Sequence, residues 1–305
     1  MARVAPNRVR VGISGWNYPP WRKVFYPEGL RQADELHFAS RAFPSIELNG
    51  SFYSLMRPTS YRAWYDATPD DFVFSVKGSR YITHMLRLRN AERALANFFA
   101  SGLLCLGHKL GPILWQLPPR QRFDAGVVRE FLELLPRNTA EMAGLARQHD
   151  SRLDGRSVVV GSGPQRRVRH AFEVRHESFA DERYVELLRE YGAASCVADS
   201  AGLYPIIDEQ TTDFSYARLH GAEQLYVSGY SAKDLKPWAE RVQRWQRAGD
   251  VYVYFDNDVK VRAPFDAQNL IRLLDGKRAL PLPKVLGDVT EEPRTNWPSF
   301  RRAVS

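Results

Sequence analysis

Residues that could do chemistry first stand out between Ala171 and Ser178, where the chain reads Ala-Phe-Glu-Val-Arg-His-Glu-Ser. The alternation of charged with apolar residues predicts a β-strand whose side chains point to opposite faces in turn. Glu173 and Arg175 then lie side by side on one face, at the carboxyl end of the strand. Because a carboxylate and a guanidinium are costly to bury unless they are paired or used, we expect a functional site at this end.

Polar side chains end most of the other predicted strands in the same way. If the strands form a barrel, their alternation assigns these residues to the lumen at the carboxyl end, which is the functional end of such barrels. One polar residue at a strand end is usually a cap or a loop contact, but many on one face predict a shared pocket. The predicted lumen-side residues are Glu47, Asn49, Lys77, Gln116, Glu173, Arg175, Asp199, Arg218 and His220.

Three carboxylates of this set, Glu47, Glu173 and Asp199, are candidates for general acid and base catalysis. Carboxylates crowded into one pocket push each other's pKa values apart, which can leave one protonated and another ionised at neutral pH. Their alternative role is to neutralise the cations of the same face, and the two roles are compatible. Those cations, which we expect to bind the substrate, are Lys77, Arg175 and Arg218.

His220 follows Arg218 on the same face and is the fourth candidate catalytic residue, because a histidine can shuttle protons near neutral pH. A hydrogen-bonded core histidine is the alternative. Aromatic residues after the first two strands could form a stacking wall for a sugar ring or a base, although such residues also simply cover the mouth of a barrel. The remaining expected substrate-binding residues are Trp16, Tyr18, Asn49, Tyr53, Gln116 and Asn257.

The charges predict a site that works without a metal ion and without any other cofactor. Three carboxylates are matched by three cations on the same face, and a guanidinium beside a dication would be repelled. The sequence has no His-x-His or His-Glu-x-x-His spacing. Gly161-Ser162-Gly163 is not a phosphate-binding loop, because no Gly-Lys-Ser/Thr accompanies it.

Eight predicted strands, mostly separated by helices, favour the α/β class and a single (β/α)8 barrel like a TIM barrel, over residues 9–279. A doubly wound open sheet is the alternative, but no early strand is followed by Gly-x-Gly-x-x-Gly. We expect an insertion at 138–169, between strands 4 and 5, and an extended C-terminal tail at 280–305. The predicted helices include one near 59–67, capped by Thr59, and one over 91–106.

The 305-residue chain has globular composition, with 44% hydrophobic and 26% charged residues, and no apolar run long enough to span a membrane. We expect a cytoplasmic protein, because its start lacks the apolar stretch of a signal peptide and its two cysteines suit buried thiols. The net charge of +8 invites a polyanion, so we expect weak, non-specific nucleic-acid binding through clusters at 80–89 and 166–169. The sequence leaves the oligomeric state open.

Short motifs occur throughout the predicted barrel. They are Gly-Ile-Ser-Gly-Trp-Asn-Tyr (12–18), Ile-Glu-Leu-Asn-Gly-Ser-Phe-Tyr (46–53), Phe-Ser-Val-Lys (74–77), Leu-Trp-Gln-Leu-Pro-Pro (114–119), Phe-Glu-Val-Arg-His (172–176), Ala-Asp-Ser (198–200), Arg-Leu-His-Gly (218–221) and Tyr-Phe-Asp-Asn-Asp (254–258). Together they resemble the YecE-like family, a domain of unknown function numbered 72. The resemblance implies a TIM barrel but no reaction, since the family has no established activity. Gly50 stands where the family more often has Ser or Thr, and Asp256 stands where it more often has Asn.

The leading functional hypothesis is an enzyme that uses carboxylate acid/base chemistry, as a hydrolase or an isomerase, on a polar, anionic small molecule or nucleic-acid fragment. The alternative is a non-catalytic binder of phosphorylated or nucleic-acid ligands, in which the cations bind and the carboxylates orient them. A metal-dependent phosphodiesterase-like barrel is the third candidate.

Overall fold

A computed structural model of the chain describes residues 7–161, 163–283 and 286. Within them, eight parallel strands form a closed barrel in which each strand pairs with the next and the last pairs with the first. The (β/α)8 barrel predicted from the sequence is confirmed. The strands are β1 (Val9–Ser14), β2 (Ser45–Leu48), β3 (Val73–Lys77), β4 (Leu110–Gln116), β5 (His170–Glu173), β6 (Ala194–Asp199), β7 (Phe214–Leu219) and β8 (Asp250–Phe255).

Helices alternate with these strands, except between β6 and β7, where residues 200–213 contain none. In the described part of the chain, no helix combines the length and the hydrophobicity that crossing a membrane requires. The helices are α1 (Glu35–Ala42), α2 (Gly50–Tyr53), α3 (Pro58–Ala67), α4 (Glu92–Ala100), α5 (Ala125–Leu134), α6 (Thr139–Ala146), α7 (Glu182–Tyr191), α8 (Ala232–Gln246) and α9 (Ala263–Leu274).

Two helix boundaries differ from those predicted. α3 begins at Pro58, whose ring presets the backbone angle of a first helical turn, so Thr59 is not its cap. The helix predicted over 91–106 ends at Ala100, because Gly102 has a φ of +120°, which no helix accommodates. A Cβ on Gly102 would lie 2.6 Å from the Cα of Pro58, so this close approach needs a glycine.

The expected insertion between β4 and β5 contains an ordered helix. Asn138 caps α6, because its Oδ1 accepts hydrogen bonds of 3.0 Å from the backbone N–H groups of Ala140 and Glu141. α6 packs against α4 and buries Met142 and Ala146. The insertion therefore adds to the outer helical layer. Of the expected tail at 280–305, all but 280–283 and 286 lies outside the described residues.

Alternate strand positions fill the barrel lumen, as the period of two requires. Two hydroxyl pairs cross it: Ser45 Oγ lies 2.6 Å from Tyr254 Oη, and Ser75 Oγ lies 2.7 Å from Tyr216 Oη. Together with apolar neighbours they form a packed floor beneath the carboxyl ends of the strands. The lumen cluster consists of Val73, Leu114, Ala171, Ala194, Cys196, Phe214, Tyr216, Tyr252 and Tyr254.

The contact between β1 and β2 predicts a strong effect of one added methyl group. A Cβ on Gly12 would lie 1.9 Å from the carbonyl oxygen of Ser45, so we expect Gly12→Ala to lower the free energy of unfolding by about 1–3 kcal/mol or more. The control is Gly144→Ala in α6, where a Cβ would meet nothing within 4 Å. It should raise stability by about 0.5–1 kcal/mol, because alanine is the better helix former. Urea unfolding measures the free energy of unfolding of both variants, and equal changes in the two would contradict the close contact of Gly12 with Ser45.

Candidate functional site

Arg218 is the centre of a charged cluster at the carboxyl end of the barrel. Its side chain is fully buried and bonds to three carboxylates, which with it form the Arg218 cluster. Nη2 lies 2.8 Å from Glu47 Oε1 and 2.8 Å from Asp256 Oδ2, and Nη1 lies 2.7 Å from Glu173 Oε2. Burial lowers the pKa of Arg218, but the three carboxylates raise it well above its ordinary value. The guanidinium is therefore permanently charged and fully paired.

Glu47 and Glu173 are anchors of this cluster, without exposed surface. Glu47 accepts hydrogen bonds from Ser14 and, at 2.5 Å, from Tyr216, in addition to those from Arg218. Burial raises the pKa of Glu173, but Arg175 and Arg218 hold it well below its usual range. Because both carboxylates are occupied by fixed donors, the geometry supports the neutralising role that the sequence allowed for them.

Asp256 belongs to the cluster, although the sequence analysis did not include it. It follows β8, and the alternation of Tyr252, Tyr254 and Asp256 continues the lumen face one step past the strand. Burial raises the pKa of Asp256, but Arg218 and then His220 hold it well below its usual range. Extending the period of two beyond Phe255 would have identified it.

Asp199 lies outside the cluster, and the prediction that it faces the lumen is wrong. Ala194 and Cys196 face the lumen, so Asp199, an odd number of positions away, faces the helices. Its Oδ2 accepts a hydrogen bond of 3.0 Å from Tyr230 in the loop after β7. Pairing of Ala198 with Arg218 fixes this register.

Asn257 is likewise not among the side chains that meet at the mouth, the opening at the carboxyl ends of the strands. It is fully buried, and its Nδ2 donates to Asp266 Oδ2 of α9 at 2.8 Å and to the Ser228 carbonyl at 3.0 Å. Asp266 Oδ2 also accepts from the backbone N–H of Tyr230 at 3.0 Å. Asn257 thus fixes the loop after β8 to α9, and its predicted substrate contact has no support in this geometry.

Asp258, two residues beyond Asp256, is the second carboxyl at the mouth that the sequence analysis missed. Burial and the charge of Asp256 raise its pKa well above its ordinary value. Its Oδ1 is buried with no hydrogen-bond partner among the described residues. The neighbouring Tyr18 hydroxyl already donates to the Ser14 carbonyl at 2.5 Å, so it has no proton for Asp258. Asp258 is therefore a carboxyl with a raised pKa beside Asp256, whose pKa is lowered.

Lys77 is an unpaired cation on the same face. Its Nζ lies 4.5 Å from the ring centroid of Phe52, and no acceptor of the described residues is within hydrogen-bonding distance. Burial and the charge of Arg218 lower the pKa of Lys77 to about 8. An ammonium group held without a partner is a ready contact for an anion.

The two histidines of the mouth, His84 and His220, differ in their surroundings. His220 is fully buried, with Nδ1 3.1 Å from Asp256 Oδ2 and Nε2 3.6 Å from Glu173 Oε1. His84 lies after β3, where burial and Lys77 lower its pKa to about 4, so it is neutral at pH 7. The sequence had named only His220 as a candidate.

The other predicted substrate-binding residues lie around the Arg218 cluster and differ in how many partners they have within the protein. Arg175 is tied to Glu173 and donates to Tyr226 Oη at 3.1 Å, while Tyr204 lies under it at 4.9 Å. Asn49 donates to Ser14 Oγ at 3.0 Å and keeps a buried, unpaired Oδ1.

Gln116 ends β4 and is buried, and Tyr53 lies on the rim with 58% of its surface exposed. Trp16 packs edge-on against Trp64 of α3, at 5.5 Å between ring centroids. It therefore covers the side of the mouth, as the alternative reading of these aromatic residues allowed.

Within residues 7–161 and 163–283, no group of three or more His, Cys, Asp and Glu side chains is arranged so that it could hold a metal ion. The carboxylates of the Arg218 cluster are occupied by guanidinium groups instead. The expectation of chemistry without a metal stays a prediction.

Removing the guanidinium from this cluster should be strongly destabilising. We expect Arg218→Ala to lower the free energy of unfolding by about 3–5 kcal/mol, because three buried carboxylates lose their partner. Arg31→Ala, which breaks an exposed pair with Asp34, should cost about 1 kcal/mol or less. Urea unfolding at several pH values tests this. The deficit of Arg218→Ala should narrow as the pH falls and the orphaned carboxyls take up protons, and a pH-independent deficit would contradict the account.

Comparison with known proteins identifies relatives of uncharacterised activity. The UPF0759 protein YecE of Escherichia coli (strain K12) is 27% identical over 132 residues, which are 42% of this chain and 44% of that protein. In that match the chain spans less than half the length of the relative. The UPF0759 protein YunF of Bacillus subtilis (strain 168) is 22% identical over 297 residues, 88% of this chain and 95% of that protein.

Two crystal structures share the barrel. A DUF72 family protein from Thermotoga maritima MSB8 is 27% identical, with a TM-score of 0.70 over 88% of this chain and 100% of that one. A DUF72 family protein from Enterococcus faecalis V583 is 15% identical, with a TM-score of 0.67 over 88% and 95%, and supports the fold alone. The family model described as protein of unknown function DUF72 matches residues 10–287, and this chain therefore belongs to that family.

Proposed function

We propose that the protein is an enzyme that uses carboxyl acid/base chemistry on a small, polar, anionic molecule at the mouth of the barrel. The observation that carries the proposal is the pair of carboxyls after β8, Asp256 and Asp258. These two acids lie on alternate residues and their pKa values are shifted in opposite directions, which is how enzymes separate an acid from a base.

Asp258 has the properties of a general acid. Burial and the charge of Asp256 raise its pKa, which favours the protonated form, and its buried Oδ1 has no partner among the described residues to compete with a substrate. Donation of that proton to a leaving oxygen or a carbonyl oxygen serves hydrolysis and isomerisation alike. Asp256 stays ionised and stabilises positive charge that develops on the reacting group.

Lys77 supports the anionic character of the substrate. Arg218 and Arg175 are already paired with carboxylates, whereas the Lys77 ammonium has no acceptor among the described residues. Asn49 adds an unpaired buried acceptor, Oδ1, beside this donor. Donors and acceptors that lack partners in the free protein suit a ligand with both an anionic group and hydroxyl groups.

The test is a thermal-stabilisation screen of anionic metabolites, followed by turnover assays of the compounds that bind. We expect Asp258→Asn to keep ligand binding and to lower turnover about 10²–10⁴-fold, because the amide cannot donate the proton. Asp199→Asn is the matched control, since this carboxyl faces away from the mouth, and its turnover should stay near wild type. Equal losses in both variants would refute the role of Asp258.

Anion binding should depend on pH through Lys77. Its pKa of about 8 leaves it charged at pH 7 and neutral at higher pH, so affinity should be constant below about pH 7 and fall as the pH rises through 8. The Kd of the compound with the largest stabilisation, measured from pH 6 to 10, tests this. Lys77→Met should bind weakly at every pH. A wild-type profile that stays flat to pH 10 would exclude Lys77 as the anion contact.

A non-catalytic binder of phosphate or nucleic acid is the second candidate, favoured by the basic clusters. Their placement weakens it: the 80–89 cluster follows β3 at the mouth, whereas the 166–169 cluster precedes β5 at the opposite end. Arg167 and Arg169 are also neutralised by Asp213 and Asp250. Binding of all screened compounds without turnover would favour this candidate. Stoichiometric metal in protein purified without chelators would favour the third candidate, a metal-dependent phosphodiesterase.

A further inference from the structure

A second polar cavity lies at the base of the barrel, the opening at the amino ends of the strands. Its volume is about 450 Å³. Arg8 and Arg10 share the lumen side at the start of β1, Asp250 begins β8, and Arg169 precedes β5, so all four line it. The packed floor of the lumen separates this cavity from the mouth, and the proposed acid/base chemistry uses none of these residues.

Arg10 is the unusual group of this cavity. The residue is only 9% exposed, and its guanidinium carbon lies 5.7 Å from the ring centroid of Tyr252. Among the described residues, no acceptor is within hydrogen-bonding distance of this guanidinium and no carboxylate oxygen is within 4.0 Å of it. A guanidinium has five N–H donors, and those of Arg10 open onto the cavity without a protein acceptor, so they are available to a ligand.

The two acids of the cavity are already occupied. Asp250 Oδ2 lies 2.7 Å from Arg169 Nη1, and its Oδ1 accepts from the backbone N–H of Arg8 at 2.8 Å. Asp213 Oδ2 lies 2.6 Å from Arg167 Nη1. Among the described residues, neither Arg8 nor Arg10 has a carboxylate oxygen within 4.0 Å of its guanidinium, which leaves two positive charges without a partner at this cavity. A doubly negative ligand would neutralise them.

We propose that the base cavity binds a terminal phosphate group, with Arg10 as its principal contact and Arg8 as a second. A phosphate monoester or inorganic phosphate carries about two negative charges near neutral pH and presents oxygens that match the guanidinium fork. Arg169 cannot turn to the ligand without releasing Asp250, so it fixes the wall of the site. From the basic 166–169 cluster, Arg169 lines this cavity, a role that does not require a nucleic acid.

Calorimetric titration of the full chain with inorganic phosphate, at low ionic strength and pH 7.5, tests the proposal. Wild type should bind phosphate at millimolar concentration or below. Arg10→Met should abolish this binding, and Arg10→Lys, which keeps the charge but loses the fork, should weaken it about tenfold or more. Arg31→Met, which removes an exposed arginine outside the lining of this cavity, is the control and should bind phosphate as wild type does. Phosphate binding equal in wild type and both Arg10 variants, or no binding by wild type, would overturn the proposal.

The source of the phosphate is tested by competition. Glycerol phosphate should displace inorganic phosphate, because its terminal group also carries about two charges. An oligonucleotide without terminal phosphates has only singly charged diesters and should not compete. Competition by that oligonucleotide as strong as by glycerol phosphate would overturn the assignment to a terminal phosphate. Circular dichroism and thermal unfolding of each variant confirm that it is folded before it is titrated.

Discussion

The burial of one guanidinium determines much of the chemistry at the mouth. Arg218 loses all contact with water, a cost that its bonds to Glu47, Glu173 and Asp256 offset. Those carboxylates come from β2, β5 and the end of β8, so one side chain links strands on different sides of the barrel. Such a network specifies its geometry closely, because each member is costly to leave unpaired.

The same guanidinium shifts the pKa values of other groups at the mouth. It lowers the pKa of Asp256, and the charge of Asp256, together with burial, raises the pKa of Asp258. Its positive charge also adds to burial in lowering the pKa of Lys77. An anchor with no exposed surface therefore prepares both an acid and an anion contact at the mouth.

The sequence predicted the barrel well because each strand alternates two kinds of side chain, and the period of two assigns them to lumen or helix. That rule places Lys77, Glu173 and Arg218 correctly. It failed for Asp199 because the lumen face of β6 was assigned from its last residue, which is polar. A shift of one position along a strand exchanges its lumen face with its helix face. Asp256 and Asp258 were missed because their strand was ended at Phe255. Neither the unpaired state of Lys77 nor the raised pKa of Asp258 could be predicted, since both depend on distances between separate strands.

The contacts of Asn257 and Asp266 tie two loops to one helix. Asp266 on α9 accepts hydrogen bonds from Asn257, after β8, and from the backbone of Tyr230, after β7. The first loop carries Asp256 and Asp258, and the second carries Tyr226, whose ring packs against His220. Neither loop can swing away alone without breaking a bond to this one buried carboxylate. Displacement of either loop therefore costs a buried hydrogen bond to Asp266, so α9, on the outer wall of the barrel, fixes the positions of both loops at the mouth.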